Sequence, residues 1–413
     1  MGYRRLTQCR ICDSTRLDVL LELGRQSLTG VFPRTLDQSL TSGPLTLARC
    51  DDCGLVQLLH SYDRSELYGP HYGYRSSLNS IMVRHLQAKA RTLAGFVDLR
   101  PGDVVVDIGS NDGTFVSAFS GRDLCLVGCD PSAGRWRGSY PAGSRLIADF
   151  FSADFYRAQI GPRPARLVTS IAMFYDLERP LEFMREVGSI LADDGVWHLE
   201  QSYLPTMLEV NAYDTVCHEH LEYYALKQIK WMAERVGLRI LDVELNDVNG
   251  GSFAVTLGKD AGGGRAAETR VDRLLRDEKE AGFDTLEPFR RFRARVLAHR
   301  RELRRRLEEI HASGQTILGY GASTKGNVIL QFAGIDRKLL PAIAEVNEDK
   351  FGCFTPGTGI PIISEREAHA RRPDYFLVLP WHFRAGLIER EAAYLRSGGR
   401  LLFPLPRLEV VSA

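Results

Sequence analysis

The sequence predicts an α/β protein with a small zinc-binding N-terminal domain, a central Rossmann-like domain and a C-terminal Rossmann-like α/β domain. Three observations predict this organisation. Two Cys-x-x-Cys pairs lie near the start of the chain, at Cys9–Cys12 and Cys50–Cys53. Strand-like and helix-like segments alternate through the middle of the chain. A strand followed by a glycine-rich turn begins again at Thr316.

The composition excludes several classes of function. The chain has 413 residues, of which 44% are hydrophobic and 25% are charged, as in ordinary globular proteins. Lys and Arg number 53 and Asp and Glu 52, and this balance argues against a nucleic-acid-binding protein. No apolar run is long enough to span a membrane, and the first residues lack the apolar segment of a secretion signal. We therefore expect a cytoplasmic protein without a membrane partner, whose eight cysteines are metal ligands or buried thiols.

We expect domain boundaries near residues 78 and 305. Residues 1–78 hold four cysteines and show little helical periodicity, so they form the zinc-binding domain. Residues 79–305 show the strand–helix alternation of a doubly wound sheet. The stretch 278–313 is dense in Arg, Glu and Leu and predicts one or two long helices. These helices lead into residues 306–413, the C-terminal α/β domain.

The cysteine pairs of the N-terminal domain predict a metal site. Cys9 and Cys12 are separated from Cys50 and Cys53 by 37 residues. Each pair can place two thiolates on one turn, and two such turns complete a tetrahedral four-sulfur site that suits Zn²⁺. Because all four ligands are cysteines, no coordination position is left open. We therefore expect a structural zinc ion rather than a catalytic one.

The segment Val104–Phe115 predicts a buried strand, a glycine-rich turn and a helix start. Gly109 and Gly113 allow a ligand to approach the backbone closely, and Asp130, after the next strand, can bind the two hydroxyls of a ribose. The loop resembles the cofactor site of class I S-adenosylmethionine (SAM) methyltransferases. An NAD site would use the same acid, but the missing middle glycine of Gly-x-Gly-x-x-Gly favours SAM. The candidate cofactor-binding residues are Asp107, Gly109, Asn111, Asp112, Gly113, Asp130, Asp149, Phe150 and Phe174.

Titratable residues are concentrated at Tyr213–Tyr224, around the tripeptide His218-Glu219-His220, called here the H-E-H segment. The spacing is not the His-Glu-x-x-His of zinc proteases. The segment follows a strand-like stretch and precedes a helical one, so we expect a loop near the carboxyl ends of the strands, where α/β sites form. A histidine there can act as a general base near neutral pH. An ordinary polar loop, or a pair of histidines hydrogen-bonded in the core, is the alternative.

The C-terminal domain begins with a second strand, glycine-rich turn and helix start at Gly319–Asn327. Backbone N–H groups at that helix N-terminus, together with Lys325, predict an anion site, although the spacing is not that of a Walker A motif. A plain strand-to-helix turn is the alternative. Glu345 ends the next strand and is a candidate contact to a ribose or a base.

These motifs together resemble the nucleotide-sugar C-methyltransferases, which make branched-chain deoxysugars. The four cysteines, the loop Asp107–Gly113, the H-E-H segment and the segment Tyr320–Asn327 occur in the family's order and span essentially the whole chain. The resemblance implies SAM as cofactor, a zinc-binding domain, and a C-terminal domain that helps to hold the nucleotide sugar. It also implies a monomer whose substrate is usually an NDP-4-keto-6-deoxyhexose.

The resemblance further implies a role for individual residues. The family's histidine that matches His220 removes the proton beside the ketone, at C3 or C5 of the sugar, and Glu219 would orient it. Tyr72 or Tyr74 would stabilise the enolate oxygen, or would only pack at the domain junction. The full candidate catalytic set is His220, Glu219, Tyr72, Tyr74, Cys217 and Asp176, and the candidate substrate-binding set is Arg75, Asn249, Tyr320, Ser323, Thr324, Lys325, Asn327 and Glu345.

Two residues depart from the family pattern. The family carries Tyr at the position of Cys217 and tends to carry His at the position of Asp176. Both positions lie where the substrate hydroxyls or the enolate would be sensed, so the sugar and the methylated carbon are left open. An enolate that is reprotonated without methyl transfer would make the protein a keto-sugar epimerase. A non-catalytic docking protein is the third hypothesis.

Overall fold

The computed structural model describes residues 2–68, 74–259 and 265–413, the side chains of 265–268 excepted. Tyr72 lies outside the described residues. The N-terminal elements are β1 (Tyr3–Arg5), β2 (Leu17–Ser27), β3 (Ser42–Cys50), β4 (Val56–Leu58), β5 (His60–Tyr62) and α1 (Arg64–Leu67). The central elements are α2 (Ser80–Phe96), β6 (Val104–Ile108), α3 (Thr114–Ser117), β7 (Cys125–Cys129), β8 (Arg145–Ile147), α4 (Ala153–Ile160), β9 (Ala165–Ile171), α5 (Pro180–Ile190), β10 (Leu191–Ser202), α6 (Leu204–Glu209), β11 (Glu222–Tyr223), α7 (Leu226–Arg235), β12 (Arg239–Asn246) and β13 (Ser252–Gly258).

Two helices connect the central elements to the C-terminal ones, as the composition of 278–313 predicts: α8 (Arg265–Glu280) and α9 (Glu287–Ala312). The C-terminal elements are β14 (Ile317–Tyr320), α10 (Thr324–Ala333), β15 (Ile343–Glu345), β16 (Ile362–Ser364), α11 (Glu365–Ala370), β17 (Tyr375–Val378), α12 (Arg384–Arg390), α13 (Ala392–Arg396), β18 (Arg400–Phe403) and β19 (Glu409–Val411). In the described ranges, no helix is both long and apolar enough to cross a membrane.

The central sheet has the strand order β12-β13-β10-β9-β6-β7-β8 over the described residues, with β13 antiparallel to both of its neighbours. The run from β10 through β9, β6 and β7 to β8 is parallel. The strand order reverses between β6 and β9, and a ligand cleft forms at the carboxyl ends of strands at such a point. Strand β6 (VVVDI) is buried throughout, because helices cover both faces of a parallel sheet. This sheet confirms the expected Rossmann-like central domain.

The N-terminal sheet has the order β11-β4-β3-β2. Its edge strand β11 comes from the central part of the sequence, directly after the H-E-H segment, and pairs with β4 through Glu222 and Gln57. The N-terminal sheet therefore contains residues from both sides of position 78. The chain of the central domain completes the sheet of the N-terminal domain, and this fixes the H-E-H segment against it.

The C-terminal sheet has the order β16-β15-β14-β17-β18-β19, parallel except for β19. Helix α9 packs against it through Leu303, Leu307 and Ile310, which are buried in one cluster with the strands β14 and β17. Since α9 extends to Ala312, the position 305 expected as a boundary falls inside a continuous helix.

Candidate functional site

The four cysteines of the N-terminal domain form one cluster. Their sulfur atoms all lie within 4.8 Å of one another. The Sγ atoms of Cys9 and Cys53 are 3.5 Å apart, as are those of Cys12 and Cys50. A tetrahedron with Zn–S bonds of about 2.3 Å has sulfur–sulfur edges of about 3.8 Å, so the geometry fits a four-sulfur zinc site. Zinc bound here has no open coordination position and supplies structure, not catalysis.

A cleft lies at the carboxyl ends of β6, β7 and β9 and encloses about 1090 Å³, its open mouth included. The predicted cofactor residues Asp107, Gly109, Asn111, Asp130, Asp149 and Phe150 line it, together with Tyr74 and Asp176. Gly109 has φ +77°, and a Cβ atom there would stand 2.8 Å from Met173 Cγ, so only glycine fits this turn. The glycine turn, the acid after β7 and the apolar wall fit the parts of an adenosyl cofactor.

Two carboxyl groups, those of Asp130 and Asp107, line the cleft. Asp130 accepts hydrogen bonds from the backbone N–H of Asn111 (2.9 Å) and Ser132 (2.7 Å). A carboxylate has about four acceptor sites, so Asp130 can still bind ribose hydroxyls. Burial raises the pKa of Asp107 to about 7, against the hydrogen bond of 2.6 Å that it accepts from Thr169 Oγ1. Asp107 therefore titrates near neutral pH.

Three of the predicted cofactor residues do not line the cleft. Asp112 is buried and accepts a hydrogen bond from Ser77 N (3.0 Å), so it holds the segment before α2 rather than a ligand. Gly113 is required because a Cβ atom would stand 2.8 Å from the ring of Tyr140. Phe174 is fully buried in an aromatic cluster with Trp197 and does not line the cleft, which corrects its expected contact with the cofactor.

The H-E-H segment presents one histidine in a form suited to a base. His220 Nδ1 lies 2.8 Å from the carbonyl oxygen of Thr215. Because a carbonyl oxygen only accepts, the network assigns the proton to Nδ1 and leaves the lone pair on Nε2. Burial, aided by the charge of Lys325, lowers the pKa of His220 to about 3, so the imidazole is neutral at physiological pH. Its ring lies against Tyr175, with centroids 4.2 Å apart.

The other two members of the segment are directed into the protein. His218 is fully buried, its ring edge meets Tyr62, and burial lowers its pKa to about 3. Burial raises the pKa of Glu219, whose Oε2 lies 3.4 Å from the hydroxyl of Thr29. His218 is therefore a packing residue, whereas Glu219 is positioned by the N-terminal domain.

The two departures from the family pattern lie beside His220. Asp176 lines the cofactor cleft. The residue before it, Tyr175, packs against the ring of His220. Burial raises the pKa of Asp176 well above its ordinary value, and the charge of Glu219 adds to this effect. Cys217 is fully buried, and burial raises the pKa of its thiol, so it is a neutral thiol and not a nucleophile. Asp176 thus lines the cofactor cleft directly after the residue whose ring contacts His220.

Lys325 also approaches this region, from the C-terminal domain. Its Nζ donates a hydrogen bond to the carbonyl oxygen of Asn249 (3.2 Å). Ser323 caps α10 by accepting from Gly326 N (3.0 Å), so the first turn of α10, with Thr324 and Lys325, faces the central domain. The segment Gly319–Asn327 thus has the predicted form of a strand, a turn and a helix start.

Four predicted substrate residues have other partners. Tyr320 is buried and donates a hydrogen bond to Glu391 (2.7 Å), which corrects its expected contact with the substrate. Asn327 is buried and donates to the carbonyl oxygen of Thr29 (2.8 Å). Glu345 accepts from the N–H groups of three loop residues at 2.8–2.9 Å: Ala322, Val346 and Asn347. Arg75 lies 3.4 Å from Asp112 and covers the ring of Trp136.

Sequence reasoning missed several residues that hold the H-E-H segment. Thr29 contacts both His218 and Glu219, and Arg10, inside the first cysteine pair, contacts Glu222 (3.4 Å) just after the segment. A lone threonine and a zinc-knuckle arginine carry no motif. Strands β4 and β11 are far apart in the sequence, and nothing in it signals their pairing either.

Comparison with solved structures gives low similarity. A SAM-dependent methyltransferase from Clostridium acetobutylicum is 11% identical, with a TM-score of 0.33 over 43% of this chain and 91% of that one. The cyclopropane synthase MmaA2 from Mycobacterium tuberculosis is 17% identical, with a TM-score of 0.32 over 51% of this chain and 76% of that one. Similarity at this level carries no information on the reaction.

Comparison at the level of sequence is more specific. Family models match a zinc-binding domain over residues 9–68, a methyltransferase domain over 81–243 and a C-methyltransferase C-terminal domain over 247–406. C-methyltransferase NovU from Streptomyces niveus is 30% identical over 414 aligned positions, which cover 99% of this chain and 98% of that protein. These matches confirm the expected enzyme class and its SAM and zinc cofactors. The chain belongs to the C-methyltransferase family and is a SAM-dependent C-methyltransferase with an N-terminal zinc-binding domain.

Proposed function

We propose that this C-methyltransferase acts on an NDP-4-keto-6-deoxyhexose and methylates a carbon next to the ketone, with C3 favoured over C5. The observation that carries the proposal is the state of His220. Its Nε2 lone pair is available, and its ring packs against Tyr175. Asp176, which follows Tyr175 in the sequence, lines the cofactor cleft. A neutral imidazole with a free lone pair suits deprotonation of a carbon acid.

The chemistry follows from the substrate. A ketone at C4 acidifies the C–H bonds at C3 and C5. His220 Nε2 removes one of these protons, and the electron pair of the broken C–H bond moves into an enolate. SAM held in the cleft that Gly109 and Asp130 line would supply the electrophilic methyl group to the enolate carbon, with cleavage of the methyl–sulfur bond and S-adenosylhomocysteine as the leaving group. A hydroxyl of Tyr72 or Tyr74 would stabilise the negative charge of the enolate.

The C-terminal domain supports the nucleotide part of the proposal. Ser323, Thr324 and Lys325 form the first turn of α10, where backbone N–H groups and an ammonium meet. A diphosphate is the substrate group that this chemistry fits. We propose that the enzyme works as a monomer, without a nucleic-acid or membrane partner.

The test is an assay of the purified zinc-loaded enzyme with SAM and a panel of 4-keto-6-deoxyhexoses linked to different nucleoside diphosphates. We expect a product heavier by one methylene group, and NMR would place the new methyl group on C3 or C5. His220→Gln should lower turnover by a factor of about 10²–10⁴. The control, His311→Gln, changes a histidine of α9 that contacts Leu339 and should leave turnover unchanged.

Two results would contradict the proposal. Solvent deuterium in the sugar without any gain of a methyl group would indicate an epimerase. Absence of a methylated product from every member of the panel, while the enzyme still binds S-adenosylhomocysteine, would exclude this substrate class.

A further inference from the structure

The turn after β2 lies between the H-E-H segment and the C-terminal domain. Thr29, in this turn, is fully buried, as are its neighbours His218 and Asn327, and Glu219 is only 6% exposed. Residues of three parts of the sequence therefore meet at one threonine. No motif assigns this residue a role.

The Thr29 hydroxyl bridges two members of the H-E-H segment. Its Oγ1 lies 3.3 Å from His218 Nδ1 and 3.4 Å from Glu219 Oε2. A hydroxyl has one proton to donate and lone pairs to accept with. When the proton is donated to the carboxylate, the hydroxyl accepts from the N–H of His218. One side chain thus contacts both His218 and Glu219.

The same turn is held from the C-terminal domain. The carbonyl oxygen of Thr29 accepts a hydrogen bond from Asn327 Nδ2 (2.8 Å). The backbone of Ser27 makes two bonds with Gln331, at 2.8 and 3.1 Å. Both amide side chains belong to α10, whose first turn carries Lys325. The turn is therefore clamped by the helix that we propose to bind the diphosphate.

Gly30 shows how closely Glu219 is enclosed. A Cβ atom at residue 30 would stand 2.4 Å from Glu219 Oε1 and 3.5 Å from Thr324 Oγ1. A larger residue would displace the carboxylate. The small residue at this position therefore allows the turn, the carboxylate and the start of α10 to lie in contact.

We infer that Thr29 is a positioning residue for the reaction: the turn at Thr29–Gly30 holds Glu219, and through it the neighbouring base His220, in register with the substrate-binding helix α10. This inference rests on the proposed function, because Glu219 and His220 matter only if a carbon acid is deprotonated. The N-terminal domain then contributes to the active site directly, in addition to binding zinc.

The test compares Thr29→Val, which keeps the shape and removes the hydroxyl, with Thr29→Ser, which keeps the hydroxyl. Two steps are measured on the zinc-loaded enzyme: exchange of solvent deuterium into the keto sugar without SAM, and methyl transfer with SAM. We expect Thr29→Val to lower the exchange rate and kcat about tenfold, with the affinity for S-adenosylhomocysteine unchanged, and Thr29→Ser to restore most of the loss. The hydrogen bonds from Thr29 to His218 and Glu219 are both long, and we therefore expect a loss of activity no larger than about tenfold.

The matched control is Thr46→Val, a buried threonine of β3 in the same domain. Equal exchange and turnover in Thr29→Val, Thr46→Val and the wild type would overturn the inference. If Thr29→Val does not fold, Gln331→Ala replaces it, because this variant removes the two hydrogen bonds between α10 and Ser27. Gln331→Ala should lower the exchange rate without changing S-adenosylhomocysteine binding. An exchange rate equal to that of the wild type would then overturn the inference. A wild-type enzyme that neither exchanges nor methylates refutes the proposed function instead.

Discussion

At the scale of single residues, the proposal that His220 is the base predicts how turnover depends on pH. Its pKa is lowered to about 3, first by burial and then by the charge of Lys325. A lowered pKa means that protonation inactivates the base only in strong acid. We therefore expect kcat at saturating SAM to change less than about twofold between pH 6 and 8, rather than to fall below an ordinary histidine pKa of about 6.5.

The measurement must separate His220 from Asp107, whose pKa is raised to about 7 by burial. Asp107 lines the cofactor cleft, so we expect its protonation to change the KM for SAM. The value of kcat at saturating SAM then reports on the proposed base. An acid limb of kcat with an apparent pKa near 6.5 that is absent from S-adenosylhomocysteine binding would refute a neutral His220.

The candidate residues differ in how well the sequence could predict them. Asp107, Gly109 and Asp130 follow from strand ends and turn chemistry, and they line the cleft. Tyr320 has the same kind of position in the sequence, but it is buried against Glu391. A position after a strand restricts where a residue lies, whereas the direction of its side chain depends on distant partners that a single sequence does not reveal.

At the scale of elements, the cofactor loop and the segment before α2 hold each other. Asn111 Oδ1 accepts from Ser76 N (3.0 Å), and Asp112 Oδ2 accepts from Ser77 N (3.0 Å). Tyr74 and Ser76 of that segment line the cofactor cleft. Asp112 therefore shapes one wall of the cleft without touching its interior.

Asp112→Ala should weaken this wall. We expect S-adenosylhomocysteine to bind about tenfold more weakly, since a hydrogen bond to a charged group contributes about 1.5–3 kcal/mol. Calorimetric titration measures the affinity, and circular dichroism checks the fold. Asp98→Ala, at an exposed carboxylate that pairs with Arg100, is the control and should bind normally. Equal affinity in the two variants would mean that the segment does not depend on Asp112.

At the scale of the whole molecule, strand order within each domain could be anticipated better than contacts between domains. The alternation of apolar segments predicts the parallel strands β6, β7 and β9, because each is buried on both faces. Pairing of β11 with β4 joins residues more than 160 positions apart, and neither strand exceeds three residues. Such short strands carry almost no pattern, so the attachment of the H-E-H segment to the N-terminal sheet is visible only in three dimensions.

This attachment predicts that the zinc site supports catalysis from a distance. Arg10 lies between Cys9 and Cys12 and is 9% exposed. Its guanidinium contacts Glu178 (2.7 Å), Ser61 (2.9 Å) and Glu222 (3.4 Å), the last in β11 directly after the H-E-H segment. Burial raises the pKa of Glu222, and the charge of Arg10 opposes that rise. Zinc fixes the turn that carries Arg10, and Arg10 in turn fixes the strand that follows His220.

Arg10→Met should therefore leave one zinc ion per chain and lower kcat about tenfold, because a buried hydrogen-bonded charge is lost next to the H-E-H segment that we propose to hold the base. Removal of zinc with a chelator should lower kcat at least as much, while S-adenosylhomocysteine still binds to the separate sheet of the central domain. Atomic absorption measures the zinc and calorimetry the affinity. Arg16→Met is the matched control, since Arg16 pairs with Asp52 at the surface near the same cysteines. If Arg10→Met turns over as fast as Arg16→Met, the zinc domain supports the fold alone and the H-E-H segment is held by its other contacts.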